Sequence, residues 1–267
     1  MRWTRISAIV LRQLYLMRGS PSRVLPLFAW VAVDIVLWGF ITRYLNTVTA
    51  SGLDLVPALL GAVLLWDFFI RVMQGVTMTF LEDVWARNLF NVFATPLTIS
   101  EYVAGLVLSS IITSSIGLAV MLALAGGVFG LSFLSFGVAL VPFLLVLFLF
   151  GIALGVLGSA LVLRLGPASE WFVWPIPALV SPFAGVFYPV STLPAWMRAV
   201  SRVLPPSYVF EAMRTVVAGG APSWSLLWIA TALAGAYVLL AGSVLSRVHR
   251  GAVRSGLLAR YSAESVS

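Results

Sequence analysis

The chain contains no cysteine, and every one of its 16 basic residues is an arginine, so it has no lysine either. The first absence excludes disulfides and thiolate metal sites. The second excludes a nucleotide-binding P-loop, because the lysine of G-x-x-x-x-G-K-[ST] is what reaches the phosphates. It also excludes a Schiff-base lysine, and with one histidine, His249, a His-paired nucleophile has little to draw on. His249 sits among the arginines of the C-terminal tail and reads as a solvated side chain. Charge is scarce as well, at 9% of residues against about 25% in soluble domains. What fills the chain is apolar: 61% of its 267 residues are hydrophobic, with a mean hydropathy of +1.06. Such a composition describes a polytopic membrane protein. Any chemistry or energy it uses is expected from elsewhere, with no catalytic residue and no metal of its own.

A membrane helix needs about 20 predominantly apolar residues. Six segments meet that length: 24–45, 57–81, 102–127, 132–163, 171–190 and 224–246. The fold expected is therefore all-α, a single transmembrane domain over residues 1–267. The fourth segment is too long for one upright span and must tilt or protrude. The fifth carries Pro175, Pro177 and Pro182, so it is expected to be broken or bent and covered by neighbouring helices.

The net charge of +7 follows the spans, which points to membrane topology and anionic lipid and away from nucleic acid. Arg2, Arg5, Arg12, Arg18 and Arg23 precede the first span, and Arg247, Arg250, Arg254 and Arg260 follow the last. Both termini are thus expected in the cytoplasm, with Arg87 and Arg164 on the same side. Arg43, Arg198, Arg202 and Arg214 then fall outside. Residues 1–20 read as an amphipathic interfacial helix, with Trp3, Ile6, Val10, Leu14 and Met17 opposite Arg2, Arg5 and Arg12. It serves either as an anchor or as a sliding element, and no cleavable signal peptide is expected there.

Between the second and third spans the chain reads EDVWARNLFNVFATPLTISEYVAG, residues 82–105. Trp85, Leu89, Val92 and Phe93 share a helical face, and Asp83, Arg87 and Asn91 form a polar stripe at i, i+4. One amphipathic helix over 82–93 is expected, ended by Thr95-Pro96, with Ser100 and Glu101 opening the next span. It is either a docking knob or an interfacial loop helix.

Three ionisable residues fall inside spans: Asp34, Asp67 and Arg71. Charge at that depth is costly and faces protein or a wet cavity. Asp67 and Arg71, at i, i+4, either neutralise each other or line a pathway. Asp34 has no local partner and is expected to meet another helix. After the fifth span, GVFYPVSTLPAWM (185–197) combines two turn-forming prolines, Pro189 and Pro194, with Phe187, Tyr188 and Trp196, rings suited to a membrane interface. Beyond it, Met197, Val200 and Leu204 lie against Arg198 and Arg202 in a short amphipathic helix broken by Leu204-Pro205-Pro206. Glu211 and Arg214 form an i, i+3 pair that either braces this region or touches substrate.

ATPLTISEY, and later GVFYPVSTLPAWMRAVSRVLPPSYVFEAMR, resemble the permease subunits of type-2 ATP-binding-cassette exporters, and the likeness runs over nearly the whole chain. The resemblance implies that residues 82–96 form the coupling helix that inserts into a separate ATPase subunit. Glu82, Asp83, Arg87, Asn88 and Pro96 then take that position, with Trp85 and Leu89 as apolar anchors. Relatives often carry Gly-Thr where this chain has Ala86-Arg87-Asn88-Leu89. It also implies short re-entrant helices in the outer region 185–215, where Phe187, Tyr188, Pro189, Pro194 and Trp196 cap the exit. The partners implied are two ATPase subunits, which hold the ATP and Mg, a second copy or homologous permease, and membrane lipid; this chain binds no cofactor. The setting implied is a bacterial cytoplasmic membrane, across which a drug-like amphiphile, a lipid or a lipid-linked glycan leaves the cell. The rival readings are a secondary transporter, disfavoured by the few intramembrane charges, and a non-transporting membrane scaffold.

Overall fold

The computed structural model describes residues 2–48, 56–131 and 133–257. Among them every regular element is helical. The helices are α1 (Trp3–Arg18), α2 (Pro21–Val48), α3 (Gly61–Trp85), α4 (Leu89–Ala94), α5 (Ile99–Phe129), α6 (Leu140–Leu165), α7 (Glu170–Val173), α8 (Ile176–Ala184), α9 (Ala195–Ser201), α10 (Pro205–Val217) and α11 (Trp224–Arg254). A π-helical turn, Val56–Leu60, leads into α3, and a tighter turn, Phe133–Ala139, leads into α6.

Sequence chemistry explains where these helices stop. Thr98 caps α5: its hydroxyl accepts from the Glu101 amide, and the Glu101 carboxylate accepts in return from the Thr98 amide. This reciprocal box satisfies two donors that a helix start otherwise leaves open. At the other end Gly130 adopts φ 71°, where a side chain would be strained, and Leu131 donates back to the Ala125 carbonyl. Pro205 and Pro206 occupy the first turn of α10, where a missing amide hydrogen costs nothing.

Helix α3 is the axis of the bundle. Its back is keyed into α6 by small residues. A Cβ on Gly155 would come within 2.7 Å of the Met73 carbonyl oxygen, and one on Gly151 within 2.9 Å of Val72. The Thr77 hydroxyl crosses the same seam to the Gly155 carbonyl, at 3.0 Å. From the other side the Ser110 hydroxyl of α5 reaches the Val72 carbonyl, also at 3.0 Å. Close backbone approach and interhelical hydrogen bonds are what bind helices where lipid removes the hydrophobic drive. A chain of ring contacts extends the core outward: Trp66 tilted against Phe69, Phe69 stacked on Phe150, and Phe150 edge-on to Tyr237 of α11.

Among the described residues, five helices are long and apolar enough to cross a membrane, in Ala29–Val48, Pro57–Trp85, Ile99–Phe129, Phe136–Leu165 and Trp224–Arg254. The predicted fifth span, 171–190, is not one helix. Trp174-Pro175 separates α7 from α8, and Gly185 ends α8 at φ 62°. The nine residues of α8 cover only about 14 Å, half a hydrocarbon core. The overlong fourth span is likewise divided, since Gly137, at φ 53° and ψ −144°, kinks its start before α6 begins.

Candidate functional site

Two clusters bring chemistry-bearing residues together, and α3 joins them. The first lies where α1, the end of α3, α4 and the start of α5 meet. A single helix over 82–93 was expected there; the structure breaks it. Helix α3 ends at Trp85, Arg87 takes φ 54°, its amide donates to the Val84 carbonyl, and the Asn88 amide donates to Asp83. This is the usual glycine-bearing helix stop with an arginine in the left-handed position, which is why no glycine announced it.

The break redistributes the expected docking face. Leu89, an expected exposed anchor, is 1% exposed, and Val92 and Phe93 pack with it against the bundle. Phe93 rests on Tyr102 and on His249, which is therefore packed against a ring and not a freely solvated tail residue. Asp83 leaves the expected polar stripe altogether. It is 1% exposed, and its two carboxylate oxygens take both guanidinium nitrogens of Arg12 while the Tyr102 hydroxyl donates at 2.6 Å. The hydrogen bond to Asp83 holds the Arg12 pKa above its ordinary value. What remains on the surface is the turn itself, with Trp85 half exposed, Arg87, Asn91 and Pro96. Asn88 and Pro96 line a groove of about 400 Å³ that α1 completes with Arg5 and Arg12.

Helix α1 is fastened to this end twice. Arg12 holds Asp83, and Arg5 holds Glu101 at 3.2 Å, while the Arg2 amide donates to the same carboxylate at 2.8 Å. Arg5 and Arg12, read from the sequence as lying opposite the apolar face of α1, thus find their partners in acids of the bundle. Ile9 seats in the space left by Gly105, where a Cβ would clash at 2.6 Å. Neither Glu101 nor Tyr102 was singled out for these contacts, although T-x-x-E at 98–101 is a readable capping signal.

The second cluster is a cavity of about 610 Å³ among α1, α2, α3, α5 and Trp174 at the end of α7. Asp34 of α2 and Asp67 and Arg71 of α3 all line it, and both carboxylates lie within electrostatic reach of Arg71. Helix α3 is buried from Gly61 to Val84 except at 67, 70, 71, 74, 75, 78, 79 and 82. Those eight positions are its contribution to the cavity wall. Glu82, expected to serve the coupling helix, therefore shares one stripe with Asp67. Opposite it, α5 presents hydroxyls at 109, 110, 113 and 114, and Gly117 leaves room for the Arg71 side chain.

At the far end of the bundle, residues 185–215 fold as a braced corner. The guanidinium of Arg214 donates to the Gly185 carbonyl and to Glu211, each at 2.8 Å, and Glu211 accepts from the Val190 amide at 2.6 Å. Among the expected gate residues, Tyr188 donates to the Pro182 carbonyl, Phe187 stacks on Trp38 of α2, and Trp196 lies edge-on to Phe183. Pro189 and Pro194 precede a one-turn helix and α9.

A bundle in which every described element is helical and five helices are long and apolar enough to cross a membrane is a multi-pass membrane protein. The chain belongs to the ABC-2 type transporter family, whose model it matches over residues 4–218, and so is a permease component of an ABC-type transporter. No curated protein matches it in sequence.

Proposed function

We propose that this chain is the membrane-spanning subunit of an ATP-driven exporter in a bacterial cytoplasmic membrane, with both termini in the cytoplasm and a separate ATPase seated on the α3–α4 turn. The reading rests on family membership together with one observation: the turn projects Trp85 and Arg87 from a bundle end otherwise tied down by ion pairs. Because the chain has no lysine, nucleotide, with Mg, binds the partner. Two such chains form the pathway, whether identical or homologous. The apolar residues exposed along α2 and α11, including Leu37, Phe40, Trp228 and Leu239, face lipid or the second permease. Closure of the ATPases pushes the turns, the bundles rock, and an amphipathic substrate passes outward past the 185–215 corner.

Leu89, being buried, is unsuitable as a probe of docking, so the test moves to the surface. Trp85→Ala combined with Arg87→Glu is expected to lower co-purification of an ABC ATPase and export together, with insertion unchanged. Interface energy concentrates in a few anchors, each worth about 2 kcal/mol or more. Wild-type ATPase capture and export by that double variant would leave the turn an interfacial loop. Labelling at Ser191 from outside the cell checks the orientation.

A further inference from the structure

The charges that the described residues place on the cavity wall do not balance: Asp34, Asp67 and Glu82 are acidic and Arg71 is basic. Asp34, Asp67 and Arg71 are close enough to act on one another electrostatically. An excess carboxylate inside a membrane bundle is expensive unless a cation or wet space answers it. Two buried polar atoms on the wall are also without partners. The Ser114 hydroxyl, on a residue 2% exposed, and Oδ2 of Asp67 make no hydrogen bond among the described residues. The rest of the lining is apolar and soft: Trp30 and Trp174 offer ring faces, and Met17 and Met78 offer thioethers. The volume suits a drug-sized molecule.

We infer that the cavity between α2, α3 and α5 is a binding site for a monocationic amphiphile, a positively charged onium group carried on an aromatic or aliphatic body. This deepens the exporter reading and rests on it for physiological meaning. The positive centre sits between Asp34 and Asp67 and restores neutrality there. Trp30 and Trp174 take the body, since ring faces attract cations and bury apolar area. Arg71, its stem held against Gly117, offsets one carboxylate and stays with the protein. The Ser114 hydroxyl receives or donates to whatever polar group the body carries. An anion of the same shape meets two carboxylates and is rejected. An uncharged glycoside finds the hydroxyls of α5 but leaves the excess charge in place.

The full-length chain in lipid nanodiscs, without ATPase, is titrated with radiolabelled tetraphenylphosphonium and, separately, with tetraphenylborate of nearly the same shape, against empty nanodiscs. Saturable binding of the phosphonium alone is expected, undiminished by decyl maltoside. Asp67→Asn and Asp34→Asn should each weaken it ~10-fold or more, the order expected when one close opposite charge is removed from a partly screened site. Trp30 is 66% exposed, so Trp30→Ala leaves the core intact and should weaken binding several-fold even if an aspartate variant fails to fold. Equal binding of the borate, competition by the maltoside, or unchanged phosphonium affinity in folded variants at Asp34, Asp67 and Trp30 would overturn the assignment. Such failure leaves ATPase co-purification untouched, and loss of co-purification leaves this titration untouched, so the two readings fail separately.

Discussion

Replacing Asp83 by asparagine isolates the fastening of α1. The carboxylate is 1% exposed, whereas the Arg12 side chain is 31% exposed. Removing one partner of a fully buried ion pair costs about 3–5 kcal/mol. Here Arg12 keeps part of its water, and an asparagine oxygen still accepts from the Tyr102 hydroxyl, 2.6 Å away in the native protein. Both considerations lower the figure, so Asp83→Asn is expected to destabilise by ~2–3 kcal/mol, a fall of roughly 5–10 °C in unfolding midpoint. Because the chain has no cysteine, a single reporter can be read without background. Ile6→Cys, on the buried face of α1, should react slowly with a maleimide in the parent and markedly faster when Asp83→Asn is added. Arg12→Gln should do the same, and the double variant should cost less than the sum of the singles, since each removes the same contact. An unchanged midpoint with unchanged labelling would refute the argument, because α1 would then be held by Ile9 and the Arg5–Glu101 pair alone.

Glycine substitutions separate the packed from the open side of the bundle. Gly155→Ala drives a Cβ into the Met73 carbonyl and Val76 and should cost about 1–3 kcal/mol. By contrast, Gly235→Ala in α11 meets nothing within 4 Å and should be neutral or stabilising by up to ~1 kcal/mol; thermal unfolding of the two variants side by side checks this. Arg87→Gly relieves a side chain held at φ 54° and should raise the midpoint by an amount corresponding to about 1 kcal/mol, while removing one exposed charge from the docking turn.

Length and hydropathy made the long apolar helices legible in the sequence, because long apolar runs have few alternatives in a membrane. The proline-bearing fifth segment was legible as broken, but not where, since the stop depends on Gly185 adopting a left-handed conformation. The i, i+4 pattern misread residues 82–93 as one helix for a related reason: periodicity continues through Arg87 although the backbone does not. The polar stripe of α3 was in plain sight, with Asp67, Arg71, Gln74 and Glu82 at helical spacing. Dividing the chain at residue 81 into span and coupling helix hid it. The partners of Arg5 and Arg12 were beyond reach, since pairs separated by 71 and 96 residues leave no local trace.

Helix α3 runs unbroken from Gly61 to Trp85, with Asp67 some 27 Å from the projecting turn at 1.5 Å per residue. Between those points its back is notched into α6, where Gly151 and Gly155 lie against Val72, Met73 and Val76. A notched rod cannot spin about its own axis without lifting out of the notches. In the exporter proposed above, a push at Trp85 reaches Asp67 as tilt or slide, with α6 carried along, and the same side chains keep facing the cavity. On that proposal the site widens or narrows during a stroke while its electrical character stays constant, so that a cargo is selected by charge and released by geometry.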